Sequence, residues 1–133
     1  MGYDVAMLIE AAKRSKITLL IDENNLVIKE PLRGLGFKVI SYTQGMPDEK
    51  LWELAEGTAI VTANAKDFVV SAIVHDFDVI DISSLKFIDK EQSDKNVTAR
   101  KIANAIREST FYSKRGNWLL VVYEAKWLLK ELI

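Results

Sequence analysis

A short apolar run at residues 17–21 constrains the fold of this chain most strongly. Four of its five residues are aliphatic, and an acidic and amide cluster follows directly: Asp22, Glu23, Asn24 and Asn25. A run of this length bounded by polar residues is typical of a strand that is buried on both faces of a sheet. In open α/β sheets, ligands and catalytic groups collect beyond the carboxyl ends of the strands. The run therefore predicts an interior strand with Asp22 at its functional end.

Three more short apolar runs alternate with helical patterns along the chain. We predict strands at residues 37–42, 58–62 and 77–82, and helices at 5–15, 24–33, 48–55 and 64–74. Pro31 falls inside the second helix, so that helix either kinks or starts later. The βαβαβαβ order with short connections predicts an α/β protein with a parallel sheet covered by helices.

The pattern changes after residue 84. Residues 86–95 are mostly polar and predict a loop, whereas residues 97–107 form an amphipathic helical pattern. Residues 118–133 are apolar on most sides, which favours a buried or interfacial helix, although residues 119–123 are equally consistent with a last strand. We therefore predict a single domain over residues 1–133, with a core at about 17–82 and a helical C-terminal extension at about 96–133.

Composition excludes several classes of protein. The chain contains no cysteine, which rules out disulfides, thiolate metal sites and cysteine nucleophiles. It contains no run near the roughly 18 apolar residues that a membrane span requires, and its first residues do not resemble a secretory signal. We therefore expect a cytoplasmic protein with no membrane partner.

The net charge of −1 is unevenly distributed. Residues 95–115 contain six Lys or Arg and one Glu, whereas the preceding part of the chain is acidic. An acidic body with a basic segment suits a metal site beside a polyanion, although a solvated helix face is the simpler interpretation. Five of these basic residues are the candidates for binding RNA: Arg100, Lys101, Arg107, Lys114 and Arg115.

Oxygen-bearing side chains are expected to meet at one edge of the sheet. Strand one delivers Asp22 and Glu23, the third helix begins at Asp48, and Asn64 and Asp67 follow strand three. Such a set without His or Cys suits Mg²⁺ or Mn²⁺, which can activate water and neutralise charge on a phosphate. Taken singly, the Asp and Asn residues are also explained as helix caps. The single histidine, His75, is expected to be structural or on the surface.

Three segments resemble PIN-domain proteins, in particular a short PIN-like group that carries Asp-Glu-Asn after strand one. They are Leu20-Ile21-Asp22-Glu23-Asn24, the helix start at Asp48-Glu49, and Thr62-x-Asn64-x-x-Asp67-Phe68. The resemblance covers about residues 17–82. It implies a Rossmann-like three-layer sandwich with strand order 3-2-1-4-5. It also implies a metal-dependent endoribonuclease, often a toxin that a small antitoxin neutralises, and often a homodimer.

The resemblance also assigns roles to individual residues. Asp22 is the implied first metal carboxylate, Asp67 a late acid and Asp48 the acid at the start of the third helix, with Glu23 as a further metal ligand. Asn64 stands where other members carry Asp. The implied catalytic set is Asp22, Asp48, Asn64 and Asp67, and the implied cofactor is Mg²⁺ or Mn²⁺.

Three functions follow from these patterns. The leading one is a Mg²⁺- or Mn²⁺-dependent ribonuclease, in which residues 95–115 hold the RNA backbone and Phe111 and Tyr112 either stack on a base or belong to the core. A second is a catalytically weak or inactive PIN-like module that binds RNA or a protein partner. A third is a phosphoacceptor receiver domain, which requires an Asp at the end of strand three, where this sequence has Thr62-Ala63-Asn64.

Overall fold

A mostly parallel sheet forms the centre of the described chain. The computed structural model describes residues 17–43, 45–85 and 92–133. Within these residues the sheet has six strands in the order β2-β1-β3-β4-β5-β6. Their bounds are β1 Thr18–Asp22, β2 Lys38–Tyr42, β3 Ala59–Thr62, β4 Asp78–Asp81, β5 Trp118–Val122 and β6 Trp127–Glu131. The first five strands are parallel, and β6 returns antiparallel to β5.

Four α-helices accompany the sheet in the described residues: α1 Lys29–Gly34, α2 Asp48–Ala55, α3 Val69–His75 and α4 Gln92–Ser109. Short 3₁₀ helices occupy Glu23–Ile28, Ala65–Asp67 and Phe111–Ser113. The α/β class and the four predicted strands are confirmed. Pro31 is the third residue of α1, in the first turn, where its missing N–H removes no helical hydrogen bond. The second predicted helix therefore begins later than residue 24.

The predicted strand order 3-2-1-4-5 is wrong. In the structure β1 lies between β2 and β3, and its residues pair in parallel with both neighbours. The physical reason is burial. All four residues of β3 are buried, which suits an interior strand, whereas β2 is partly exposed along its length and forms one edge of the sheet. The chain thus leaves β1 toward β2 and then crosses to the other side of β1.

The prediction of a helical C-terminal extension is also wrong over its last part. Residues 118–131 form a β-hairpin in which Trp118 pairs with Glu131 and Val122 pairs with Trp127. The strand alternative for residues 119–123 is the correct one, because β5 completes the backbone hydrogen bonding of β4. In this described region α4 is the one α-helix, followed by the short 3₁₀ helix at Phe111–Ser113, and α4 begins at Gln92 rather than near residue 97.

Two hydrophobic clusters cover the two faces of the sheet. Leu19 and Ile21 of β1 belong to a cluster with residues of α1 and α4, whereas Leu20 belongs to a cluster with residues of α2 and α3. This division follows from the alternation of side chains along a strand. The structure therefore has helices on both faces of its sheet.

Two predictions fall beyond this description. The helix predicted at residues 5–15 and most of the loop predicted at 86–95 lie outside the described residues. In the part that is described, no helix is both long and apolar enough to cross a membrane.

Candidate functional site

Four polar side chains line up across the carboxyl edge of the sheet. Asp22 pairs with Tyr42, and Thr62 pairs with Asp81. Ile21 pairs with Val61, so the next residues on the two strands, Asp22 and Thr62, also lie side by side. We call these four residues the carboxyl-edge row. Neighbouring strands are about 4.8 Å apart, so the backbones of Asp22 and Asp81 are separated by about 10 Å.

The carboxyl-edge row faces the α2 and α3 side of the sheet. Leu20, Ile60 and Val79 all belong to the cluster on that side. Residues two positions further along a strand point the same way. Asp22, Thr62 and Asp81 therefore lie on one face, beside Tyr42, which is itself a member of that cluster.

Asp22 is the most buried carboxylate of the row. Its residue is 9 % exposed, and a carboxylate at such a depth is costly unless other groups or ions stabilise it. Burial, with a smaller effect from the charge of Asp22, raises the pKa of Tyr42 to about 12. Tyr42 is consequently protonated at neutral pH, so its O–H is available as a hydrogen-bond donor.

The turn after β3 is fixed by short-range hydrogen bonds. The Asn64 N–H donates to Thr62 Oγ1 over 3.0 Å, and the Asn64 carbonyl accepts the Asp67 N–H over 3.0 Å. Thr62 is buried, whereas Asn64 and Asp67 are both exposed. The turn thus presents an amide and a carboxylate to solvent just beyond the carboxyl-edge row.

Asp81 is a candidate that the sequence interpretation missed. It is half-buried, and its Oδ1 accepts the Ser83 N–H over 2.9 Å. The predicted fourth strand ran to Ile82, which placed Asp81 inside the strand rather than at its end. The available signal was the pattern Val79-Ile80-Asp81, an apolar run that ends in an acid as β1 does.

The remaining predicted acids lie at the same edge without forming a compact cluster. Asp48 is the exposed first residue of α2, which follows β2, and Glu23 begins the 3₁₀ helix that follows Asp22. Within the described residues, no group of three or more His, Cys, Asp or Glu side chains is placed to hold a metal ion. The side chain of Glu23 is outside that description.

Helix capping does not explain Asp48 or Asn64. Pro47 rather than Asp48 precedes α2, and Asn64 precedes the short 3₁₀ helix without a capping hydrogen bond from its side chain. Helix α1 is preceded by Ile28, also without a side-chain cap. The caps proposed for Asp48 and Asn64 are therefore not formed.

The donor types of the row, carboxylate and hydroxyl oxygens, are those that Mg²⁺ takes in proteins. Mg²⁺ usually takes one or two protein carboxylates and fills its other positions with water and phosphate oxygens. Asp22 and Asp81 provide two carboxylates on one face of the sheet. A third protein carboxylate is not required when water and phosphate oxygens complete the coordination of the ion. The chemistry of the row thus suits an oxygen-seeking cation.

The predicted RNA-binding residues are divided between the two edges of the sheet. Helix α4 connects the end of β4 to the start of β5, so it runs opposite to the strands. Lys101 forms an ion pair with Glu124 in the turn after β5, at the carboxyl edge. Lys114 and Arg115 precede β5 at the amino edge, where Lys114 lies 5.8 Å from the centre of the Trp118 ring.

The other two predicted RNA-binding residues, Arg107 and Arg100, also lie on α4. Arg107 donates to the Leu35 carbonyl over 2.7 Å and lies 5.4 Å from the centre of the Phe37 ring, so it ties α4 to the segment before β2. Arg100 is exposed and borders a groove beside α1. The RNA-binding role of the whole set stays a prediction.

Two aromatic positions have clear structural roles. Phe111 is 2 % exposed and belongs to the core cluster shared by α1 and α4, so it is not available to stack on a base. The His75 ring stacks on Trp52 at 5.1 Å between ring centres. This contact is consistent with the expectation that His75 is structural.

Comparison with known proteins adds no assignment: no protein-family model, curated protein or solved structure matches the chain. The order of β1 to β5 is the one found in flavodoxin-like sheets, where ligands bind at the point at which the order reverses. That point lies here between β1 and β3, beside Asp22 and Thr62. Receiver domains share this order, but the end of β3 carries Thr62 rather than the required Asp.

Proposed function

We propose that this chain is a Mg²⁺- or Mn²⁺-dependent endoribonuclease of the PIN-like type. The observation that carries the proposal is the position of Asp22. It is a buried carboxylate at the carboxyl end of an interior strand, where the strand order reverses and where α/β sheets place their ligands. The resemblance of residues 17–82 to PIN domains supports the same activity.

Each residue at the edge has a chemical task in this proposal. Asp22 and Asp81 would hold the cation, and the cation would supply the activation of water and the neutralisation of charge on the scissile phosphate. Tyr42 donates its O–H and does not serve as a base, because its pKa is raised to about 12. Asn64 and Asp67 meet the substrate from the exposed turn after β3.

Glu23 and Asp48 remain part of the proposed site because each is the first residue of a helix that begins at the carboxyl edge. The role of the protein as a toxin, with a small antitoxin and a homodimeric assembly, is a proposal supported by the PIN resemblance. A cytoplasmic location is supported by the absence of cysteine.

The proposal is tested with Asp22→Asn. We expect this variant to lose metal-dependent cleavage of a fluorescently labelled RNA by at least about a hundredfold, because it removes a charged donor from the edge. Its circular dichroism spectrum should match that of the wild type, since Asn has the same shape as Asp.

Asp78→Asn is the matched control. It makes the same chemical change in a partly buried aspartate at the amino edge, where the new side chain keeps an oxygen that accepts the Trp118 N–H. We expect this variant to cleave RNA at the wild-type rate. Equal cleavage by the wild type and Asp22→Asn, in protein free of contaminating nuclease, would show that the proposed mechanism is wrong.

A second candidate function is a PIN-like module that binds RNA or a protein partner without catalysis. The observation that favours it is Asn64, which replaces an acid of the PIN pattern, together with the lack of a three-acid cluster among the described residues. Isothermal titration with Mn²⁺ separates the two functions. A nuclease should bind the ion, and the Asp22→Asn variant should bind it more weakly, whereas a non-catalytic module should give no heat dependent on Asp22.

A further inference from the structure

Helix α3 exposes an apolar stripe that the proposed nuclease does not use. Val70, Ile73 and Val74 are 72 %, 37 % and 67 % exposed. Their i, i+3 and i+4 spacing places them together on one side of the helix, while Ala72 on the other side is fully buried. Single exposed apolar residues are ordinary, whereas a contiguous set on one helix face is a candidate interaction surface.

A groove of about 510 Å³ lies directly beside this stripe and shares Val74 with it. The Trp52 ring of α2 lines the groove and is held in place by its stacking on His75 and by Phe77, whose ring centre lies 5.8 Å away. These two aromatic contacts therefore fix the position of the Trp52 wall of the groove.

The remaining groove-lining residues are acidic. Within the described chain its lining contains four carboxylates and no Lys or Arg: Glu49, Glu53, Glu56 and Asp76. We refer to the groove together with Val70 and Ile73 as the α2–α3 surface. Its negative rim repels nucleic acid and anionic lipid headgroups, and it attracts a cationic partner.

We propose that the α2–α3 surface binds a cationic amphipathic helix of a partner protein. Apolar side chains of that helix would pack on Val70, Ile73 and Val74, and its Lys or Arg side chains would pair with the four carboxylates. Glu56 and Asp76 precede β3 and β4, so the groove extends to the amino edge of the sheet. The groove is lined by none of the residues of the carboxyl-edge row, and the inference does not rest on the proposed nuclease activity.

The test uses the full chain, labelled with ¹⁵N, and a synthetic 18-residue helical peptide with Leu on one face and Lys on the other. We expect chemical-shift changes confined to residues 49–56 and 70–76. Glu53→Lys should weaken binding about tenfold by reversing a charge at the rim. Val74→Ser should weaken it by a similar factor through lost apolar contact.

Glu131→Lys is the matched control, because it reverses an exposed carboxylate on β6, away from the α2–α3 surface. It should leave the affinity within twofold of the wild type. Equal weakening by Glu53→Lys and Glu131→Lys, absence of binding by the wild type, or equal binding of a peptide with Glu in place of Lys would each overturn the proposal. Sedimentation that shows a dimer of the free chain, abolished by Val74→Ser, would assign the surface to a second copy and would also overturn it.

Discussion

At the scale of single residues, two partly or fully buried aspartates lie at opposite edges of the sheet. Asp22 lies at the carboxyl edge beside a protonated Tyr42, whereas Asp78 lies at the amino edge at the start of β4. Burial raises the pKa of Asp78 to about 7; the Trp118 N–H, which donates over 2.8 Å, lowers it, and the charge of Asp76 raises it. Asp78 is therefore partly protonated near neutral pH.

This raised pKa predicts a specific dependence of stability on pH. Because the pKa of Asp78 rises from 3.8 in the unfolded chain to about 7, its protonated form favours folding. The stabilising contribution is complete below about pH 4 and is lost as the pH rises through 7. The whole loss amounts to at most roughly 4 kcal/mol in the free energy of unfolding, since each pKa unit corresponds to about 1.4 kcal/mol.

Urea unfolding of the wild type and of Asp78→Asn, followed by tryptophan fluorescence at pH 5 and pH 8, measures this contribution. The loss of stability between these pH values should be smaller in the variant, because its amide does not titrate. Asp81→Asn, at the other end of the same strand, should retain the wild-type difference. An identical pH dependence in the wild type and Asp78→Asn would contradict the assignment.

At the scale of secondary-structure elements, local sequence patterns predicted the strands of the first half of the chain correctly but not those of the second half. The runs that became β1, β3 and β4 are short, apolar and bounded by polar residues, so each one identifies a strand without knowledge of its neighbours. Residues 118–133 show a helical pattern, and residues 119–123 among them are equally consistent with a strand. Their state is decided by pairing with β4, whose Val79 lies 40 residues before its partner Leu119.

The order of the strands could not be predicted from local sequence patterns either, because it also depends on tertiary contacts. A right-handed crossover can place β3 on either side of the β1–β2 pair, and the choice depends on which strand edges the whole sheet buries. β2 and β6 are the partly exposed strands at the two edges of the sheet. Their exposure is known only once the whole sheet is assembled. Local residues therefore indicate the strands, and tertiary burial arranges them.

Helix α4 provides a test of how strongly the second half of the chain depends on packing. Ile106 is fully buried against the sheet, whereas Val97 on the same helix is 48 % exposed. Ile106→Ala should lower the free energy of unfolding by about 2–5 kcal/mol, because it removes buried methyl groups and leaves a cavity.

Val97→Ala is the control for this change. It should alter stability by less than about 0.5 kcal/mol, since it removes an exposed side chain and introduces a better helix former. Both values come from urea unfolding at a single pH. Similar effects for the two variants would mean that α4 does not pack against the sheet as described.

At the scale of the whole molecule, parallel topology explains which parts of the site were predictable. Asp22, Asp48, Asn64 and Asp67 follow the ends of parallel strands, so their shared edge follows from the βαβ pattern alone. The distances between these residues cannot be derived from that pattern, because they depend on strand order and on loop geometry. Asp81 was missed because the predicted boundary of β4 was one residue too long.

The same topology makes a prediction about RNA binding that charge alone does not. Lys101 and Lys114 are both in the basic segment, yet α4 runs against the strands and places them at opposite edges of the sheet. If RNA is cleaved at the carboxyl-edge row, Lys101→Gln should weaken its binding more than Lys114→Gln does. Loss of one phosphate contact should also reduce the slope of log affinity against log salt concentration by about 0.7 for single-stranded RNA.

Fluorescence anisotropy of a labelled single-stranded RNA at several salt concentrations measures both quantities. Lys114→Gln is the matched control, because it removes the same charge from the same segment at the amino edge. A reduced slope in Lys101→Gln alone would place the RNA at the carboxyl edge, the edge that also carries Asp22. A reduced slope in Lys114→Gln alone would place it at the amino edge, where no proposed catalytic residue lies, and would separate RNA binding from the proposed site.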